Sequence, residues 1–192
     1  MAIPYPWFDV AEADESLLQG DFVDSCPIVL PPRTIVENTT VRAEVALYDV
    51  IIMSQSCDLT QKKLDLVLVC PIWPLSKISE EDRSGFLKGS KGKEALRRGD
   101  MAGYHLLNSC QIDGFEKEFL VVDFRSVYSV PFNFLIEFVA SRGRRLRLLP
   151  PYREHLSQAF ARFFMRVGLP ADIPAFKYSA CDNDSEKIVI AS

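Results

Sequence analysis

The sequence predicts an α+β fold, a strand-rich antiparallel body closed by one amphipathic helix near the C-terminus. Three observations predict it. Val50-Ile51-Ile52-Met53 and Leu66-Val67-Leu68-Val69-Cys70 are apolar at consecutive positions, as in strands covered on both faces. Asp113-Gly114 stands between two apolar segments, a hairpin signal. Leu156, Ala159, Phe160, Phe163, Phe164 and Val167 recur at the spacing of a single helical stripe.

Taken in order, residues 1–18 read as an acidic N-terminal arm with one turn of helix at 11–18. Gln19-Gly20-Asp21-Phe22-Val23 is a turn entering a strand that Pro27 limits. Residues 39–46 alternate Val41, Ala43 and Val45 with Thr40, Arg42 and Glu44, the period of a half-buried strand with its valines inward. Central strands come next at 48–54 and 64–72, joined by a tight polar connection. Ser79 with Asp82 three residues on reads as a helix start, with Glu80-Glu81-Asp82 in its first turn. The basic, glycine-bearing stretch to residue 100 reads as a flexible surface excursion.

Strands at 103–107 and 119–124 form the hairpin. Ser129 is placed to cap a helix through Phe132 and Val139, Gly143 breaks it, and 144–149 supply a last strand. Pro150-Pro151 lead into the final helix, and Gly168 with Pro170 stops it. Residues 19–170 thus form the body, and 171–192 a tail with an edge strand at 187–190.

A chain of 192 residues with 48% hydrophobic and 25% charged residues has the composition of one globular domain. No apolar run reaches the roughly 20 residues of a membrane span. Met1-Ala2-Ile3-Pro4-Tyr5-Pro6-Trp7 lacks the pattern of a secretory leader, so a cytoplasmic protein without membrane contact is expected. The five cysteines, Cys26, Cys57, Cys70, Cys110 and Cys181, include no Cys-x-x-Cys pair, and there are two histidines; neither a metal ion nor a cofactor is expected. The net charge of −4 is unevenly spread. Residues 1–25 carry six acids and no base, while 142–153 carry five arginines and no acid. These two segments can bind each other within the fold or face separate partners.

The order of the pieces Gly20-Asp21, Val50-Ile51-Ile52-Met53-Ser54, Val69-Cys70-Pro71-Ile72, Val122-Asp123-Phe124-Arg125-Ser126-Val127 and the final helix resembles the MazF/PemK toxins across residues 19–168. That resemblance implies a small closed SH3-like antiparallel β-barrel with a C-terminal helix, often dimeric. It also implies metal-independent cleavage of single-stranded RNA by an Arg before the first buried strand and a Ser or Thr after the Pro-Ile. Here Tyr48 and Asp49 stand at the first place and Trp73 at the second. A carboxylate repels phosphate and an indole transfers no proton. The expected function is therefore a non-catalytic binding or regulatory module with a protein partner, in a bacterial defence or toxin–antitoxin-like system. The alternative is an endoribonuclease using other residues, with Arg42, Arg125 or the 88–98 stretch gripping phosphate.

Two further constellations bear on chemistry. Ser54-Gln55-Ser56-Cys57-Asp58 ends a central strand, where loops tend to carry function. It resembles a Ser-x-x-Cys-Asp element of bacterial proteins related to the same barrel. It offers Cys57 as a nucleophile or redox-sensitive thiol beside Asp58 with His105 as its base, or else a turn in which Ser56 and Asp58 cap amides while Cys57 fills a small apolar hole. The basic stretches Lys88, Lys91, Lys93, Arg97, Arg98 and Arg142, Arg144, Arg145, Arg147 suit RNA phosphates, with Tyr104, Tyr128 and Tyr152 to stack bases. They suit an acidic protein equally.

Overall fold

The computed structural model describes residues 5–32, 34, 40 and 42–165. Its elements run β1 (Phe8–Ala11), β2 (Phe22–Leu30), β3 (Glu44–Ile52), α1 (Ser56–Thr60), β4 (Leu66–Pro74) and α2 (Leu75–Glu81). Then come a 3-10 turn (Phe86–Lys88), α3 (Ser90–Arg98), β5 (Tyr104–Leu107), β6 (Leu120–Asp123), β7 (Tyr128–Pro131), α4 (Phe132–Arg142), β8 (Arg145–Leu148) and α5 (Tyr152–Phe164). The α+β class and the antiparallel pairing agree with the sequence.

The main sheet has the order β2-β3-β4-β6-β5, and β7 also pairs with β4. β3 and β4 are central, as their two-faced apolar runs require. Successive side chains of β3 enter opposite cores, Ile51 and Met53 on one face, Val50 and Ile52 on the other. The first core is covered by β1, β8 and α5 through Phe8, Leu146, Leu148 and Leu156, and the second by α4 through Phe132, Leu135 and Val139. α5 applies its stripe as far as Phe163; Phe164 is 59% exposed, and Val167, Gly168 and Pro170 lie outside the described residues.

The closed barrel is not formed. β8 pairs with β1 in a separate two-stranded sheet and, among the described residues, bridges only Asp21, just before β2, through Arg147. β2 is also bent: its register with β3 shifts between Val23 and Cys26, with Ser25 at φ 51°. Asp49 holds this bulge, its carboxylate accepting the Ser25 amide at 2.8 Å. Beyond it β2 and the start of β3 run on as a two-stranded arm. The edge position lets β2 pass through Pro27, whose missing N–H breaks no ladder there. On the arm the predicted burial is reversed: Val45 is exposed with its cross-strand neighbour Val29, and Ala46 and Tyr48 turn inward.

Other boundaries also move. The N-terminal arm holds no helical turn at 11–18; Phe8–Ala11 is a strand of the small sheet, and Leu17 is core. α2 begins at Leu75, directly after Pro74, so the acids expected in a first turn stand at its end. Leu75 and Ile78 set that register by packing beside Val121. Asp82 caps the turn after α2, accepting from the amides of Ser84 (2.9 Å) and Leu87 (2.7 Å). Residues 75–98 are an ordered helical insert, not a flexible excursion. Leu87 and Leu96 bury against Val121, and Gly92 lets α3 meet the Phe86 carbonyl where any Cβ would overlap it. α4 starts after Pro131 with no side-chain cap, because Ser129 lies within β7.

Candidate binding cleft

A cavity of about 450 Å³ opens between the insert and the main sheet. β4 supplies Trp73, β5 Tyr104, and the end of β6 Asp123 with Arg125; the insert supplies Ile78, Asp82, Phe86 and Leu87. Asp123 is nearly buried, and its two oxygens accept from Nε and Nη2 of Arg125, both at 2.8 Å. The Arg125 guanidinium lies 4.4 Å from the centre of the Tyr104 ring. Its pKa is raised by the Asp123 hydrogen bonds, and that of Tyr104 by burial. Asp123 and Arg125, two positions apart, thus form an ion pair that is half exposed on the arginine side.

Beside this cleft lie the positions where the resemblance places an Arg and a hydroxyl. Tyr48 and Trp73 meet edge to face at 5.8 Å, and Tyr128 stacks on Tyr48 at 5.7 Å. Lys77 covers the Trp73 ring at 4.5 Å. An aromatic cluster fills the place, and burial, then the neighbouring Tyr48, raise the pKa of Tyr128.

Cys57 and His105 do not share a cleft. Cys57 is exposed on α1, in a shallow depression with Gln55, Arg153 and Ser157, whereas His105 lines another cavity beside α3 and α5. Burial, then His155 and Arg162, push His105 down to about 4, so it is neutral and weakly basic near pH 7. The Ser-x-x-Cys-Asp stretch is a tie. Ser54 Oγ accepts the Leu68 amide at 2.8 Å, Ser56 Oγ accepts the Gln19 amide at 3.1 Å, and Gln19 donates to the Met53 carbonyl at 2.8 Å. Asp58 is half-buried, and its N–H donates to the Gln55 carbonyl at 3.1 Å in the first turn of α1. Of the turn alternative, Ser56 does cap an amide, but no hydrogen bond to the Asp58 carboxylate forms among the described residues and Cys57 is exposed rather than filling an apolar hole.

That arrangement predicts selective labelling. Burial raises the Cys26 and Cys70 thiols to about 11 and about 12, and Cys110 is buried too. Among the described cysteines, Cys57 alone should react with a thiol alkylator at neutral pH, read by peptide mapping. Comparable modification of Cys26 or Cys70 in folded protein would contradict this packing.

The basic stretches do not form one surface. Lys88, Lys91 and Lys93 are exposed on the insert, Arg97 and Arg98 share Glu94, and Arg142 and Arg144 lie over Phe138 and Phe115. Arg145 and Arg147 are withdrawn from any ligand. Both bind Asp21, which is wholly buried, and carbonyls of residues 12–16. The acidic arm and the basic strand bind each other. Of the expected stacking tyrosines, Tyr152 is taken by Trp7, with ring centroids 3.6 Å apart.

What sequence reasoning missed is that Trp73, Phe86, Tyr104 and Arg125 converge; the one signal was the Asp123-x-Arg125 spacing. Among the described residues, no group of three or more His, Cys, Asp or Glu could hold a metal ion, and no helix is long and apolar enough to cross a membrane. Compared with known proteins, the chain matches no family model and no curated protein.

Proposed function

We propose that this chain is a non-catalytic binding module that takes a segment of a protein partner in the Trp73–Tyr104–Arg125 cleft. The observation that carries the reading is the lining itself. Trp73, Phe86, Tyr104, Ile78, Leu87 and Met101 give aromatic and apolar walls, and the charges are of both signs, Glu81, Asp82 and Asp123 with Arg83 and Arg125. Three carboxylates with two guanidinium groups disfavour a phosphate backbone. Trp, Tyr and Arg around a desolvated pocket are the residues that anchor protein interfaces. Arg125 spends two of its five N–H donors on Asp123 and keeps others for a carbonyl or carboxylate of the bound segment. The MazF/PemK resemblance, and with it a place in a defence or toxin–antitoxin-like system and a dimeric state, belongs to the same proposal.

A peptide library screened against purified protein, with Trp73 emission followed in a Trp7→Phe background, tests it. Selected peptides should lose roughly 10-fold or more in affinity, about 1.4 kcal/mol, on Phe86→Ala and on Arg125→Gln. Phe86 is exposed, so its truncation spares the fold. Binding indifferent to both substitutions refutes the cleft. Site-defined cleavage of single-stranded RNA that Arg125→Gln abolishes would transfer the protein to the nuclease reading.

A further inference from the structure

A second cavity, about 210 Å³, lies on the other side of Tyr104, whose ring lines both. It lies open to solvent between α3, β5 and α5, and its polar lining is Arg97 and Arg98 from α3, His105 from β5, and His155, Gln158 and Arg162 from α5. No Asp or Glu lines it. From these groups we infer an anion site that takes a terminal phosphate group of a small molecule, at a place distinct from the proposed peptide cleft.

The charge count supports this. Arg97 and Arg98 share one carboxylate, Glu94, at 2.7 and 2.8 Å, so this triad keeps one net positive charge. Arg162 adds another and makes no ion pair with a described residue. The shared Glu94 also orients the two guanidinium groups, because Arg97 binds it through both Nε and Nη2. Guanidinium forks match the oxygens of a tetrahedral oxyanion better than point charges do. Half-buried His105 and the amide of Gln158 add neutral donors that desolvation does not penalise as it would a buried charge. Burial lowers the His105 pKa first, and His155 and Arg162 lower it further.

Size and charge select the ligand. At about 210 Å³ the cavity has room for one phosphate with a small attached group. A monoester offers two charges at one terminus, matching the local excess.

The test uses the full chain and tracks the ring C–H signals of His105 and His155, the two histidines of the sequence, by NMR near pH 7. The probes are inorganic phosphate, AMP and a 5′-hydroxyl single-stranded RNA oligomer. Phosphate and AMP should shift both signals saturably. Arg162→Ala and Arg98→Ala, both at exposed positions, should weaken that response at least 10-fold, whereas Arg142→Ala on α4 should leave it unchanged. Tighter AMP than phosphate binding would identify a nucleotide as the source of the group; equal binding would identify the phosphate alone. The inference fails if neither probe moves the signals at millimolar concentration, if Arg142→Ala matters as much as Arg162→Ala, or if the 5′-hydroxyl oligomer binds as tightly as AMP.

Discussion

Asp21→Ala should destabilise the protein by about 3–5 kcal/mol, the cost of leaving buried charge without its partner. The Asp21 carboxylate is 0% exposed and accepts from Arg145 Nε at 2.7 Å, Arg147 Nε at 2.6 Å, Arg147 Nη2 at 3.0 Å and the Leu18 amide at 3.1 Å. Arg145, 4% exposed, spends its other donors on the carbonyls of Glu12, Glu15 and Ser16. Without Asp21, two guanidinium groups would remain beside one half-exposed carboxylate, Glu15, itself held below the usual carboxylate range by the Glu12 amide and then by Arg147. The loss compares with total domain stabilities of roughly 5–15 kcal/mol. Urea denaturation measures it, with Glu154→Gln as reference. That residue's pair with Arg153 is surface-exposed and contributes at most about 1 kcal/mol. Should Asp21→Ala come within about 1 kcal/mol of this reference, the network is not holding residues 12–21 to β8.

Phe124→Ala should cost a similar amount, about 3–5 kcal/mol, as expected for a fully buried aromatic ring. Phe124 stands just after β6, is 1% exposed, and meets Phe160 at 5.3 Å, Phe163 at 6.2 Å and His105 at 6.2 Å. It therefore carries α5 and shields the His105 ring. A second readout separates this from a general loss of stability. With the shield gone, the His105 midpoint should rise from about 4 toward the ordinary 6.5, because burial is the main cause of its depression. Phe164→Ala, at an exposed site, should change neither quantity appreciably. An unmoved His105 midpoint in folded Phe124→Ala would show that the ring is not what keeps water from the imidazole.

The legible parts of this fold were those with strong local signals. The doubly apolar runs made β3 and β4 central, and the stripe from Leu156 to Phe163 marked α5 and its buried face. Ser79 misled because capping chemistry is short-range, whereas the start of α2 was chosen by Leu75 and Ile78 packing beside Val121. The hydroxyl of Ser79 is instead buried without a hydrogen-bond partner among the described residues. On the arm the alternation was real but its inward side was not readable. Nothing in residues 44–47 states that α4 covers one face while the other is open.

Taken alone, the sequence determined the class of fold, the central strands and the last helix. Periodicity and residue chemistry are local properties and survive without knowledge of neighbours. Tertiary structure decided that the barrel stays open, that Arg145 and Arg147 are consumed by Asp21, and that Cys57 and His105 face different cavities. It also brought Trp73, Tyr104 and Arg125 from three strand ends to one cleft. The reason is that charge pairing and cleft formation depend on distances between residues as much as 132 positions apart, which no local pattern encodes.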